Sequence, residues 1–527
     1  MDGAGVGDPL TRPEAWPCVA DRVTTLETHI SKLYFVGERV YKLKKPVRLP
    51  FLDASDLDRR RYFCEEELRL NRRLAPNVYL RVVPIRRDAR GRVAADGEGA
   101  TIDWAVEMQR LPERGMLSDV LERGEVDNQL VRRIAERLAR FHEGSAHGLE
   151  VAAFGSASAI ERNARENLEA LREHVRPRGL AVLSEELWSF LDARTEAALR
   201  ELRPQFERRA AQGRVRDGHG DLHAGNICVL PEGIVAYDCI EFSARFRCAD
   251  VACDLAFLAM DLDLRGYRGF SGVLAREYAT LSGDGELANV LPFYKSYRAL
   301  VRAKVATIRA LQVEELGPRA ELCSEAQRYL HLAASWELPA ALILTCGLPA
   351  SGKSWIARHV ARPFEAVQLS SDVRRKLLAQ IPLHEHRHER YDAGLYAPEI
   401  KNRTYATLVE DARRALGHGR SVVIDAMFPS PERRAPFRDL ARELECPLVV
   451  VHARAEEDLV QARMQARSHD ADETSDADWG VYVQAKSSFR EPDEFSPDQV
   501  VEHASGRSSP EDTSGAVIDC IVRQTRS

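Results

Sequence analysis

Short runs of alternating apolar and polar residues dominate the first hundred positions, and they predict strands. KLYFVG (32–37) and RVYKLKK (39–45), joined by a short polar turn, read as a β-hairpin in which Val40, Lys42 and Lys44 share one face. In LDRRRYFCEEELRLNRRLA (57–75), Phe63, Leu70 and Leu74 recur at offsets that a helix places on one side. VYLRVVPI (78–85) and TIDWAVEMQRL (101–111) are further strands around the turn-rich DARGRVAADGEG. From 116 to 212 the period becomes helical, as in NQLVRRIAERLARFHEG. The loop GHGDLHAGNIC and the short strand IVAYD come next, then more helix to about 335. A boundary falls at SWELPA, and beyond it apolar strands alternate with helices: ALILTCG, EAVQLSSD, SVVIDAMF, CPLVVVHA. That alternation predicts a parallel α/β sheet.

The organisation expected is an irregular N-terminus over 1–25, a strand-rich lobe and helical lobe over 26–336, an α/β domain over 340–485, and a polar tail over 486–527. Within that tail, residues 487–513 are Pro/Ser-rich and read as loose, and AVIDCIVR (516–523) reads as a final strand. At 527 residues, two or three domains are the starting expectation.

Composition narrows the classes. The net charge of -6 gives no basic footprint, which disfavours a nucleic-acid partner, although a local positive groove would restore one. The ten cysteines form no CxxC pair and are too sparse for a disulfide scaffold, so reduced thiols and a cytoplasmic location are expected. No signal-peptide pattern opens the chain, and its apolar runs are too short to span a bilayer, so no membrane partner is expected.

Gly347-Leu348-Pro349-Ala350-Ser351-Gly352-Lys353-Ser354 fits G-x-x-x-x-G-K-[ST] between an apolar strand and a helix. Backbone N–H groups of such a loop curl around a β-phosphate, Lys353 reaches the β- and γ-phosphates, and Ser354 ligates Mg²⁺. Asp425 ends an apolar strand where a Mg²⁺-directed carboxylate belongs; its alternative is to cap the next helix. Asp372 is a candidate base for an acceptor hydroxyl, and Arg375 a candidate holder of substrate phosphate, against an N-cap aspartate with a solvated arginine. Arg463 and Arg467 lie four apart and either close over the phosphates or form a solvated face. These stretches, with YAPE and RTYATL, resemble the P-loop kinases that include polynucleotide 5′-kinase-like domains and, more distantly, zeta-toxin sugar kinases. The resemblance, over about 340–485, implies phosphoryl transfer from ATP to a hydroxyl.

In the same domain His384, Glu385 and His388 match H-E-x-x-H. A zinc site needs both histidines on one turn of a stable helix and a third ligand. This segment is charge-rich, and a solvated loop is expected.

HGDLHAGN places His219, Asp221 and Asn226 at the spacing H-x-D-x-x-x-x-N. Asp221 then accepts the proton of an acceptor hydroxyl, and Asn226 binds Mg²⁺. Asp238 ends the following strand twelve residues on, and a short hairpin would return it to the same metal. The segment resembles the aminoglycoside phosphotransferase/choline kinase superfamily, with AYDCIEF where I/F-D-x-x-E is usual; the likeness spans about 25–335. It implies a protein-kinase-like bilobal α+β fold and a lysine paired to a helix glutamate. Lys42 with Glu67 is the first choice, with Lys44 and Glu66 as alternatives, and the adenine hinge falls near Glu107–Gln109. Asp250 and Asp254 read as helix braces. THISKLYFVGERV lacks the G-x-G-x-x-G loop, and no acidic acceptor pocket of the antibiotic kinases is identifiable.

The whole chain therefore reads as two fused Mg²⁺-dependent, ATP-using phosphotransferases acting on hydroxyls of small molecules. Two other classes compete: a nucleotide-sensing switch with a pseudokinase half, and a nucleic-acid end-processing kinase, for which a positive groove beside Asp372 would speak.

Overall fold

A computed structural model describes residues 8–49, 52–175, 180, 182–382, 397–467 and 479–526. The His384–His388 segment lies outside the described residues. The chain divides into two compact units, Met1–Asn163 with Leu199–Arg298, and Ala164–Ala198 with Ala299–Ser527. No helix among the described residues is long and apolar enough to cross a membrane.

The first unit opens with a six-stranded antiparallel sheet. Its strands are β1 (Val23–Glu27), β2 (Ser31–Val36), β3 (Arg39–Lys44), β4 (Tyr79–Arg87), β5 (Val93–Ala95) and β6 (Ala100–Gln109), in the order β1-β2-β3-β6-β4-β5. Helix α1 (Leu57–Asn71), started by Asp56 accepting the Arg59 N–H at 2.8 Å, packs on one face through Cys64 against Val40, Val106 and Met108. The other face is covered by the N-terminal segment, which departs from the irregular stretch expected. Trp16 stacks on Tyr41 at 4.3 Å, and its indole N–H donates to the Leu10 carbonyl at 2.9 Å. The isolated apolar residues Leu10 and Trp16 anchor this strap on the sheet, and Val23 already begins the edge strand. Sequence period cannot register so sparse a pattern.

The remainder of the unit is mainly helical. Helix α2 (Asn128–Glu143) buries Leu130, Ile134 and Leu138 along one stripe. A two-stranded hairpin, β7 (Ile227–Leu230) with β8 (Gly233–Ala236), follows the HGDLHAGN loop. Helix α3 (Val251–Leu264) is buried along nearly all its length, as its apolar-all-round sequence requires. Asp250 caps it by accepting the Ala252 N–H at 2.9 Å. Helix α4 (Leu287–Gln312) comes later in the chain.

The second unit carries a five-stranded, wholly parallel sheet. Its strands are β9 (Leu342–Cys346), β10 (Val367–Ser370), β11 (Val422–Asp425), β12 (Leu448–Arg454) and β13 (Val500–Ala504), in the order β10-β11-β9-β12-β13. Helix α5 (Lys353–Phe364) follows β9, α6 (Ser371–Leu378) follows β10, and α7 (Glu457–Arg467) follows β12. Two tail expectations are corrected here. The Pro/Ser-rich stretch 487–513, expected to be loose, contains β13, and it is pinned by Phe495 in the core and by Glu494, which accepts from the buried Arg434 at 2.6 and 2.9 Å. AVIDCIVR is not a strand but part of helix α8 (Pro510–Arg526). Val517, Ile518, Ile521 and Val522 are all fully buried, a spacing of four that a helix presents on one side.

Candidate functional site

Both lysines of β3 reach the same glutamate. Lys42 Nζ lies 2.8 Å from Glu67 Oε1, and Lys44 Nζ lies 2.6 Å from Glu67 Oε2. Strand alternation sends Lys42 and Lys44 to one face, and α1 sets Glu67 beneath them, fully buried. Lys42 also pairs with Asp238, and Lys44 with Glu241. Glu66 instead faces outward and pairs with Arg69 at 2.7 Å. Burial pushes the Glu67 carboxyl up, but the two ammonium groups outweigh it and hold it at about 2. Burial likewise opposes the charge on Lys42, yet Asp238 and Glu67 keep it well above its usual value. Glu241, which the sequence supplied only as part of AYDCIEF, is pushed up by burial despite Lys44.

The HGDLHAGN loop is held from behind by α3. Asp254 accepts the N–H of His219 at 2.6 Å and that of Gly220 at 2.8 Å. Gly218 permits this approach, because a Cβ there would come 2.3 Å from Asp254 Oδ2. Farther along, Asp261 accepts the Ala224 N–H at 2.8 Å. Asn226 donates through Nδ2 to the Asp221 carbonyl at 2.9 Å and to Asp221 Oδ2 at 3.1 Å, leaving its amide oxygen for another partner. Beyond the hairpin, the Tyr237 N–H donates to the Asn226 carbonyl at 3.0 Å, which sets Asp238 one residue from the Asn226 backbone. Asp238 has a left-handed backbone (φ 61°), stabilised where its N–H donates to the Tyr79 hydroxyl at 3.1 Å. Carboxylate and amide oxygens form the hard donor set that Mg²⁺ prefers.

Some polar groups of the Glu107–Gln109 stretch are already engaged within the first unit. Glu107 accepts from the Tyr41 hydroxyl at 3.2 Å and pairs with Arg81 at 2.7 Å, and the Gln109 N–H donates to the Val78 carbonyl at 2.8 Å.

In the second unit the loop 347–354 joins β9 to α5, with Gly352 in the left-handed region (φ 93°) as the residue before the helix. A Cβ at Gly352 would come 2.5 Å from Ser505 Oγ, which itself donates to the Ser351 carbonyl at 2.7 Å. Ser505, just past β13, went unremarked in the sequence because its strand was hidden in polar surroundings. Lys353 donates to the Leu348 carbonyl at 2.6 Å, and Arg463 to the Ala350 carbonyl at 3.1 Å. Arg467 ends α7, and its side chain lies outside the described residues.

Asp425 closes β11 in register with Thr345 and Ser370. Burial pushes its carboxyl up, and a hydrogen bond with Ser354 and the charge of Lys353 counter only part of that rise. A half-buried carboxylate beside a hydroxyl fits a divalent cation. The next helix (Pro431–Glu443) is preceded by Ser430, so Asp425 does not cap it. Ser370, not Asp372, is the residue that caps α6, its Oγ facing the Val373 N–H at 3.5 Å. Asp372 and Arg375 pair with each other at 2.8 Å.

Residues 58–300 match the Phosphotransferase enzyme family, and residues 342–492 match the AAA domain. An uncharacterized protein of Mycobacterium tuberculosis is 31% identical over 444 residues, covering 84% of this chain and 86% of that protein. The chain belongs to that family: a phosphotransferase domain fused to an AAA-type P-loop domain. Among solved structures, a Plasmodium vivax ethanolamine kinase covers 59% of this chain and 81% of its own at 9% identity (TM-score 0.37). The APS kinase of Mycobacterium tuberculosis covers 35% of this chain and 98% of its own at 20% identity (TM-score 0.25). The two family matches support ATP-dependent phosphotransferase activity, and the parallel sheet of the AAA half is that of a P-loop fold.

Proposed function

We propose that the chain is a bifunctional, Mg²⁺-dependent phosphotransferase whose halves each pass the γ-phosphoryl group of ATP to a hydroxyl of a small molecule. The observation that supports this reading is found in the phosphotransferase half: Lys42 pairs with Glu67 and Asp238, Asn226 donates to Asp221, and Tyr237, the residue before Asp238, donates its N–H to the Asn226 carbonyl. A protein that only senses nucleotide has no chemical need for a base.

In the phosphotransferase half Lys42, released from Asp238 and retained by Glu67, holds the α- and β-phosphates. Asn226 and Asp238 would hold Mg²⁺, which neutralises charge on the transferring phosphates when bound. Asp221 orients the acceptor hydroxyl and takes its proton. In the AAA half the loop 347–354 cradles phosphate, Ser354 and Asp425 would hold Mg²⁺, Asp372 acts as base, and Arg375, Arg463 and Arg467 bind phosphate. This division of labour suits a cytoplasmic metabolic enzyme.

The test is a γ-phosphate transfer screen over metabolite and aminoglycoside panels with the unaltered chain, Asp221→Ala and Lys353→Ala. Each variant is expected to remove a separable part of ATP turnover. An Asp221→Ala chain with unchanged turnover under every condition would reduce the first half to a binding module.

A further inference from the structure

The HGDLHAGN loop carries a second histidine, and its ring is fixed from three sides. His223 opens the single turn Ala224–Asn226, and its Nδ1 accepts the Gly225 N–H at 3.1 Å. A backbone N–H only donates, so the ring proton sits on Nε2. Gly225 leaves room for the imidazole, because a Cβ there would come 2.9 Å from His223 Cε1. Phe257 of α3, itself buried, packs against the ring with centroids 5.6 Å apart. With those contacts in place the Nε2 edge turns toward the candidate base: Nε2 lies 3.6 Å from Asp221 Oδ2.

That N–H is not spent inside the protein. A separation of 3.6 Å is beyond hydrogen-bond length, and Asp221 Oδ2 already accepts from Asn226 Nδ2 at 3.1 Å. Among the described residues, no other group hydrogen-bonds or pairs with His223 Nε2. Nor is the ring sealed off, since the His223 side chain is 20% exposed. Capping a turn does not explain the imidazole. That role needs one acceptor atom, which Ser, Asn or Asp supplies on a shorter side chain. What the imidazole adds is a second nitrogen, whose proton faces the space beside the base.

We infer that His223 is a further catalytic residue of the phosphotransferase half, its Nε2–H donating to an oxygen of the γ-phosphoryl group as that group passes to the acceptor. The inference rests on the transfer reading given above and adds a donor to it. A base works within about 2.6–3.2 Å of the hydroxyl it deprotonates, and the phosphorus lies in line with that hydroxyl oxygen. A donor 3.6 Å from the base therefore stands within reach of the phosphoryl oxygens. In the transfer, the acceptor hydroxyl oxygen forms the new bond to the γ-phosphorus while the bond from that phosphorus to the β,γ-bridging oxygen breaks. ADP departs with the electron pair, and the hydroxyl proton passes to the Asp221 carboxylate. His223 keeps its proton throughout and supplies only a hydrogen bond to the charge on the equatorial oxygens.

Calorimetric titrations and ADP release test this in the full chain, with Lys353→Ala present throughout so that the AAA half is the same in every comparison. The binding probes are the magnesium complexes of ADP and of AMPPNP, a triphosphate whose β,γ-bridge is an imido group. Turnover is read as ADP released from ATP with water as acceptor. His223→Asn keeps an acceptor for the Gly225 N–H but is too short to bring an N–H beside the base. It should unfold at the parent's temperature and bind AMPPNP about tenfold more weakly, with ADP affinity unchanged. Its ADP release should be about 100-fold slower. His223→Gln, whose amide N–H reaches farther, should recover part of both losses. Selective loss of AMPPNP affinity in a chain that releases no ADP would support the contact and count against the transfer reading alone. Slower ADP release with an unchanged ratio of AMPPNP to ADP affinity would make His223 a support for Asp221 and overturn the contact. Affinities and release rate all equal to the parent's would overturn it too and leave the transfer reading in place.

Discussion

Asp254 accepts the His219 N–H at 2.6 Å, so a residue in the first turn of α3 fixes the backbone of the loop that presents Asp221. Its second oxygen accepts from Gly220 at 2.8 Å, and both bonds are buried. Asp254→Asn keeps the shape but turns an amide donor toward one of those N–H groups. Transfer by the phosphotransferase half should fall about 100-fold, the scale of a misplaced reacting group. ATP turnover by the AAA half should be unchanged, and single-variant kinetics on each activity read the difference.

The same residue gives an acid-sensitivity prediction. Burial raises the Asp254 carboxyl, but hydrogen bonding and charge from His142, with Arg298 behind, overcome it and hold the group well below its ordinary 3.8. A depressed carboxyl contributes stability that is fully present above its unfolded value and is lost as pH falls toward the folded one. Urea unfolding of the first unit should therefore weaken below about pH 4, and Asp254→Asn should flatten that decline.

Lys42 and Lys44 share Glu67, but their environments separate their roles. The Lys44 side chain is fully buried between Glu67 and Glu241, whereas Asp238, the second partner of Lys42, is 46% exposed. Lys44→Met leaves Glu241 buried without a counter-charge and should cost about 3–5 kcal/mol of stability. Lys42→Met leaves Glu67 with Lys44 and lets Asp238 turn to water. It should unfold nearly as the parent does while losing roughly 10²- to 10³-fold in transfer. Thermal unfolding and kcat/KM measured on the same preparations separate the two.

The contrast shows what the sequence could and could not carry. The face shared by Lys42 and Lys44 follows from strand alternation, and the alternation of strand and helix beyond residue 340 gives the parallel sheet. Choosing between Glu66 and Glu67 needed the helix phase relative to the sheet, which one three-residue acidic run does not define. Glu241, Asp254 and Ser505 act through partners 197, 35 and 154 residues away in the chain, and no local pattern records such pairings. The tail misled for a different reason: AVIDCIVR is apolar at nearly every position, so it fits either period, and only the space against the parallel sheet selects the helix.

Asp425 should trade stability for function. Because burial raises its pKa, the folded AAA half holds that proton more tightly than the unfolded chain does, and ionisation costs stability as pH rises above 3.8. Asp425→Asn removes that cost. It should raise the melting temperature of the nucleotide-free AAA half at pH 7 while lowering its Mg²⁺-dependent turnover at least 100-fold. In the parent, apparent Mg²⁺ affinity should weaken on acidification at a pH above the ordinary carboxylate range, because the cation competes with a retained proton. Calorimetric scanning and Mg²⁺ titrations of turnover at several pH values measure both effects.

Arg209 offers the most direct test of how buried charge supports the phosphotransferase half. It is 1% exposed, and its fork donates to Asp250 at 2.7 and 2.8 Å and to Asp284 at 2.7 Å twice. Arg209→Met leaves two buried carboxylates without a cation and should destabilise by about 3–5 kcal/mol. Arg209→Lys keeps the charge, but a single ammonium cannot reproduce two parallel pairs of bonds, so it should fall between the parent and the methionine variant. Asp250 also caps α3, the helix that carries Asp254 to the HGDLHAGN loop. Loss of Arg209 should therefore lower transfer by the phosphotransferase half as well as stability, with ATP turnover by the AAA half preserved. If Arg209→Met left urea unfolding of the first unit and its transfer rate both unchanged, the charge cluster would have no part in holding the loop.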